Sequence, residues 1–204
     1  MSSKVWQTSR FKIDLAQPKV MAIVNLTPDS FSDGGQLATL SQSLTHAEKA
    51  LQQGADILDI GGESSRPGAQ AVSVQEELSR ILPFLKQALA WNVPISVDTA
   101  KPEVMKVVLD LGVDIVNDIW ALRQPGAMAV VVQHAQCGVC LMHMHREPQT
   151  MFEQPMQGDA LASVKAFLSE RLLALNAAGV SKDRVVLDPG IGFGKTIDQN
   201  LSLL

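Results

Sequence analysis

The sequence predicts an α/β fold, a (β/α)8 TIM barrel truncated here to about six βα units with a short N-terminal hairpin. Three observations predict it. Six short apolar runs alternate strictly with stretches of helical periodicity, the pattern of parallel strands joined by helical crossovers. Each run ends abruptly in a polar segment led by Asn, Asp, Glu or His. These polar ends occur in all six units, whereas an open doubly wound sheet gathers its functional residues at one switch point. A barrel brings every strand end to one mouth. A six-stranded open version would leave two apolar edges, which soluble proteins avoid. Residues 1–204 are therefore expected to form one domain, the N-terminal part of a barrel whose last two βα units lie outside it.

In chain order, Val5, Phe11, Ile13 and Leu15 alternate weakly and read as a short hairpin or plug, set apart by Pro18. Val20–Val24 is wholly apolar and ends on Asn25; such a run fits a strand buried on both faces. The loop TPDSFSDGG follows, then a helix with Leu40, Leu44, Ala47 and Leu51 on one face and Gly54 beyond its end, where glycine is favoured. The second strand, 56–60, runs into GGESSRPG, and Ser73 with Glu76 forms a possible capping box for the next helix. Leu78, Ile81, Leu82, Leu85 and Leu89 continue that helix, which Pro83 is expected to kink. The third strand, 93–97, ends at Asp98; Pro102 suits the first turn of its helix and Gly112 its close. The fourth, 114–116, ends in Asn117 and Asp118, with a helix from about 125 to 135. The fifth, 139–142, ends in His143, Met144 and His145, with a helix from about 159 to 178 closed by Gly179. The sixth, 185–187, ends in Asp188-Pro-Gly.

Composition narrows the functions. Charge is −4 with no basic stripe, and aromatics are six Phe, three Trp and no Tyr. Neither nucleic-acid binding nor base stacking fits that balance. No run of about 20 apolar residues is present to span a membrane, and no signal-peptide core follows Met1. Two cysteines without an export signal point to free thiols in a reducing cytoplasm.

Asp98, Asn117 and Asp188 end strands three, four and six and so point into one mouth. A carboxylate accepts two adjacent N–H bonds, and an amide both donates and accepts. Two carboxylates and an amide in a partly apolar pocket suit a flat, N–H-rich heterocycle with a 2-amino-4-oxo pyrimidine edge, as in guanine or a pterin. Each acid taken alone would read as a helix or turn cap.

The segments MAIVNLTPDSFSDGG, DILDIGGESSRPGA, ISVDTAKPEV, DIVNDI, LMHM and DPGIGFGK, in this order, resemble dihydropteroate synthase. The resemblance runs from about Val20 onward. It implies condensation of (7,8-dihydropterin-6-yl)methyl diphosphate with 4-aminobenzoate, giving 7,8-dihydropteroate and pyrophosphate in folate biosynthesis. It implies that Asn25 helps hold Mg2+ with the leaving pyrophosphate. Asp98, Asn117 and Asp188 would grip the pterin, with Met142, Gly192 and Phe193 beside it. Asn25, Asp33, Arg66 and Asp98 would be the catalytic set. The loops with Phe31 and Asp33, and with Ser65, Arg66 and Pro67, would close over 4-aminobenzoate; Ser65 often reads Thr in the family. A homodimer is the implied assembly when full length. The family's later Lys, and its Arg and His at the last strand, would fall beyond Leu204, so the 204 residues alone are expected to be inactive.

Other motifs are weaker. Gly190–Thr196 resembles a Walker A loop but has three residues, not four, between its first Gly and Gly-Lys; it reads as a glycine-rich loop with Lys195 in solvent. Cys137-Gly-Val-Cys140 with His143 and His145 suggests zinc, but on a strand Cys140 would take the opposite face from the other three. Both thiols read as core residues. A pterin-binding methyltransferase domain serving a corrinoid partner, or a non-catalytic pterin-binding module, are the alternatives; the intact first and second loops argue against both.

Overall fold

The computed structural model describes residues 4–27, 35–64, 71–147, 150–151 and 153–204. An antiparallel hairpin, β1 (Val5–Gln7) and β2 (Lys12–Asp14), leads the chain. Six parallel strands follow: β3 (Met21–Asn25), β4 (Ile57–Gly61), β5 (Ile95–Asp98), β6 (Ile115–Asp118), β7 (Gly138–Met142) and β8 (Val185–Asp188). They lie side by side in chain order, as the staves of a barrel wall do. The connecting helices are α1 (Gly35–Gln52), α2 (Val74–Ala88), α3 (Pro102–Leu111), α4 (Ala127–Gln133) and α5 (Ala160–Ala177), with α6 (Ile197–Leu203) after β8.

Local chemistry sets these limits. The Ser73 hydroxyl accepts from Glu76 N at the start of α2, while the Glu76 carboxylate turns to Arg80; only half of the expected capping box forms. α2 runs on through Pro83 to Ala88. Pro102 opens α3, and Gly112 ends it with φ +105°, a conformation that only glycine adopts without cost. Asp159 caps α5 through Ala162 N. A Thr196–Gln199 capping box starts α6.

Side chains on the outer sheet face pack under the helices in two clusters, one around Ile60, Phe84, Ile95 and Val97, the other around Val116, Val131, Leu141 and Leu175. The inner face has an apolar floor of Ile57, Ile115 and Cys140, closed from below by Trp6 and Ile13 of the hairpin. Trp6 Nε1 donates to Arg184 O at 2.9 Å. Arg10 donates to both Asp114 oxygens and to Leu89 O and Val93 O. The hairpin is the expected plug.

One expectation is corrected. β3 is not buried on both faces: Val20 is 57% and Ile23 63% exposed. Among the described residues β3 has a single neighbour, β4, so its inner side lacks the covering that a central strand receives from two.

Candidate active site

The polar residues meet because the strands are in register. Asn25 stands opposite Gly61, Gly61 opposite Asp98, and Asp98 opposite Asn117, one row along the C-terminal ends of β3–β6. Asp188 lies opposite Met142 on the next two strands. Side chains alternate between faces, so Asn25, Asp98 and Asn117 share the inner face, and Asp59 and Ser96 stand one pleat below them.

Asp59 is 5% exposed and accepts from Asn117 Nδ2 at 3.0 Å. That bond fixes the amide orientation and leaves Asn117 Oδ1 for another donor. The other Asp59 oxygen has no hydrogen-bond partner among the described residues. Burial raises the Asp59 pKa, against the lowering influence of the Ser96 hydroxyl and the Asn117 amide. Asp98 is pushed well above the usual carboxylate range, first by burial and then by Asp59, Asp118, Glu77 and Glu63 around it. Like-charged carboxylates this close disfavour joint ionisation. Among the described residues, the inner-face row Asp98–Asn117 above Asp59 is thus richer in acceptors than in N–H donors.

A cavity of about 490 Å³ opens beside Asp98, with Glu63, Thr99, Lys101, Ile119 and Trp120 among its lining. Lys101 Nζ donates to Glu63 and, at 2.6 Å, to the fully buried Glu77. Met142, Met144, Met151, Ile119, Trp120 and Phe193 form one apolar cluster next to Asp188's strand. The predicted partners Met142 and Phe193 therefore meet.

The loop after β8 is built against the end of β7. Asp188 Oδ1 accepts from Gly190 N at 2.7 Å, leaving its second oxygen for another donor. Gly190 has φ +68°, and a Cβ there would sit 1.9 Å from His143 O; no side chain fits. Gly192 is exposed and its N–H donates to Asn200 Oδ1 at 2.9 Å. Lys195 corrects its expectation. It is 6% exposed, not solvated, and its ammonium donates to His143 O, Gly190 O and Phe193 O at 2.8–3.2 Å. Burial lowers its pKa to about 8. The carbonyls of a tight loop need a donor, and a lysine supplies three. With its donors turned to protein carbonyls, this lysine does not act as a Walker lysine.

Phe31, Asp33, Ser65, Arg66 and Pro67 lie outside the described residues. Both thiols are core: Cys137 packs in the outer layer near Arg184 and Cys140 on the inner floor. Sequence reasoning missed Asp59, Ile119 and Trp120. Asp59 had a readable signal, an acid inside an otherwise apolar strand, two residues before the strand's end and so on the same face.

A parallel barrel wall with carboxylates, an amide and an apolar wall at its C-terminal mouth defines an α/β-barrel enzyme for a flat polar ring. The family model described as pterin binding enzyme matches residues 21–204. The dihydropteroate synthase of Neisseria meningitidis serogroup C is 48% identical over 206 residues, covering 100% of this chain and 73% of that protein. The solved Xanthomonas albilineans dihydropteroate synthase with 4-aminobenzoic acid superposes with TM-score 0.90 at 44% identity, covering 99% of this chain and 72% of that one. The Burkholderia cenocepacia enzyme complexed with 7,8-dihydropteroate gives TM-score 0.87 at 44% identity, over 98% of this chain and 68% of that one. The chain belongs to the pterin binding enzyme family and, within it, to the dihydropteroate synthases, which are transferases.

Proposed function

We propose that this mouth condenses (7,8-dihydropterin-6-yl)methyl diphosphate with 4-aminobenzoate, giving 7,8-dihydropteroate and pyrophosphate on the route to tetrahydrofolate. The observation that carries the reading is the row Asp98–Asn117 in register above Asp59, beside the Met142–Phe193 cluster. It supplies acceptors for a 2-amino-4-oxo pyrimidine edge and an apolar wall for its ring faces.

In this reading Asp98 and Asp188 accept ring N–H bonds, and Asn117, held by Asp59, orders the edge. The C–O bond to pyrophosphate breaks first and pyrophosphate leaves with the electron pair. The resulting cationic methylene is conjugated to the electron-rich reduced ring. Carboxylates whose ionisation is disfavoured by their mutual proximity gain from positive charge developing nearby, so the mouth is complementary to that state. The amine lone pair of 4-aminobenzoate then forms the C–N bond and one amine proton is lost to solvent. Binding is ordered, pterin first. Phe31, Asp33, Ser65, Arg66 and Pro67 are assigned to closing over the aminobenzoate and the reacting carbon.

Asn25 is the residue assigned to Mg2+. Mg2+ takes few protein ligands, keeps waters and prefers oxygens shared with phosphates. Asn25 suits that: the residue is exposed at the end of β3, and glycine at 61 keeps the space beside its amide oxygen clear, where a Cβ would stand 3.3 Å away. When bound, Mg2+ would neutralise charge on the departing phosphate oxygens. A homodimer and a cytoplasmic location belong to the same reading.

The test is dihydropterin binding by this chain, followed by pyrophosphate release with Mg2+, with and without 4-aminobenzoate, by this chain and by any longer form carrying it. Release that depends on 4-aminobenzoate supports the synthase. Binding of dihydropterin with release from neither form would leave a binding module.

A further inference from the structure

The turn between β6 and α4 holds two of the three non-glycine residues with positive φ among the described residues. Ala121 and Leu122 are consecutive non-glycine residues in the left-handed region, φ +54° and +57°, which L side chains enter at a cost. Both are buried, at 0% and 3% exposure. Asp118, fully buried, accepts Trp120 N at 2.8 Å and Leu122 N at 2.7 Å, one on each carboxylate oxygen. From α5, Arg171 Nε donates to Ala121 O at 2.9 Å and Arg171 Nη2 to Leu122 O at 3.3 Å. The turn is therefore clamped through its N–H groups by an acid and through its carbonyls by a base. Arg123 adds a third hold, stacking on Trp120 and on Phe167 at 5.3 Å from each ring centre.

The turn carries Ile119 and Trp120, which line the cavity beside Asp98 and pack with Met142 and Phe193. We infer that Asp118 and Arg171 are positioning residues. They hold a left-handed turn that presents Ile119 and Trp120 as one wall of the ring pocket, and they touch no substrate themselves. This rests on the pterin reading of the mouth.

The experiment is dihydropterin affinity, by fluorescence titration, for the unchanged chain, Asp118→Asn, Arg171→Met, and each combined with Ala121→Gly, with folding followed by thermal unfolding. In Asp118→Asn an amide N–H₂ replaces one acceptor and faces a backbone N–H. Affinity should fall about tenfold in Asp118→Asn and a few-fold in Arg171→Met, each loss corresponding to a strained turn released from one hold. Glycine at 121 lowers the cost of the left-handed backbone and should recover at least half of each loss, on a logarithmic scale. A direct electrostatic role for Asp118 would give a loss that glycine does not recover, and that overturns the inference. So does unchanged affinity in both single variants. If Asp118→Asn fails to fold, the Arg171→Met pair decides on the same criteria. An unchanged chain that binds no dihydropterin would remove the pterin reading itself, and the inference with it.

Discussion

The two ends of the sheet treat buried polar groups in opposite ways. At the floor, the buried charges among the described residues are matched. Asp114 is fully buried, yet its oxygens accept from Arg10 Nε and Nη2, Arg10 N and Ile95 N. Arg184, 5% exposed, donates to Cys137 O, Val131 O and His134 O. At the mouth, matching stops. The buried side-chain atoms without a hydrogen-bond partner among the described residues are Asp59 Oδ1 and Ser96 Oγ on the inner face, His143 Nδ1 just past the end of β7, and Glu77 Oε1 in the first turn of α2, whose other oxygen accepts from Lys101. A buried polar atom without a partner costs free energy. One end of the wall is built for stability; the other holds acceptors in reserve for a ligand.

The strongest test of that contrast is Asp98→Asn. On the proposed reading, the substitution removes the carboxylate assigned to accept from the ring and puts N–H donors against N–H donors. Dihydropterin affinity should fall about 10²- to 10³-fold, the scale of a lost bidentate charged contact. Stability at neutral pH should rise, because a like charge beside Asp59 and Asp118 is gone; a thermal melt showing a lower Tm would break the contrast. Arg10→Met is the mirror experiment at the floor. It strands the buried Asp114 carboxylate and should cost about 3 kcal/mol in denaturant unfolding, with dihydropterin affinity unchanged in the folded fraction. A change in affinity there would mean that floor and mouth are not separable.

The same contrast explains what was legible in the sequence. Strand ends were readable because an apolar run that halts on Asn25, Asp98, Asn117 or Asp188 carries its own punctuation. Helix ends were readable at Pro102, Gly112 and Asp159, where local backbone chemistry decides. Lys195 was misread because a lysine at the end of a glycine-rich run looks solvated until the carbonyl of His143, 52 residues away in the chain, closes over it. The exposure of Ile23 was misread because an apolar strand of edge and centre look alike. The left-handed pair Ala121-Leu122 had no signal, since neither residue favours that conformation and only the partners Asp118 and Arg171 impose it. Loop residues such as Arg66 carry a role through resemblance alone.

Titration gives a third, smaller test. Burial raises the Asp118 pKa to about 6, although its two backbone hydrogen bonds and Arg123 and Arg171 pull the other way. The folded chain then holds a proton that the unfolded chain has released, so stability falls as pH rises from about 4 to about 6. The penalty is absent below the unfolded pKa and complete above the folded one. The drop is on the order of 3 kcal/mol, and Asp98 and Asp59, raised in the same direction, add to it. Denaturant melts across that window should show a falling limb that flattens in Asp118→Asn. A limb that survives intact in Asp118→Asn would originate elsewhere.

Ser96→Ala is the mildest probe and the sharpest on the meaning of an unpartnered atom. The Ser96 hydroxyl is fully buried beside Asp59 but outside hydrogen-bonding geometry. If the fold depended on it, its removal would cost what a buried hydrogen bond is worth, about 1 kcal/mol or more. Because it carries no bond and its burial is a cost, the alanine variant should be as stable as the unchanged chain or more so by up to about 1 kcal/mol. What the hydroxyl does supply is a dipole near the Asp59 carboxylate. Its loss should raise the Asp59 pKa further and move the midpoint of the falling limb to higher pH. A stability loss without any shift of that midpoint would place Ser96 with the floor, as a structural group, and would draw the boundary between the two ends one pleat higher.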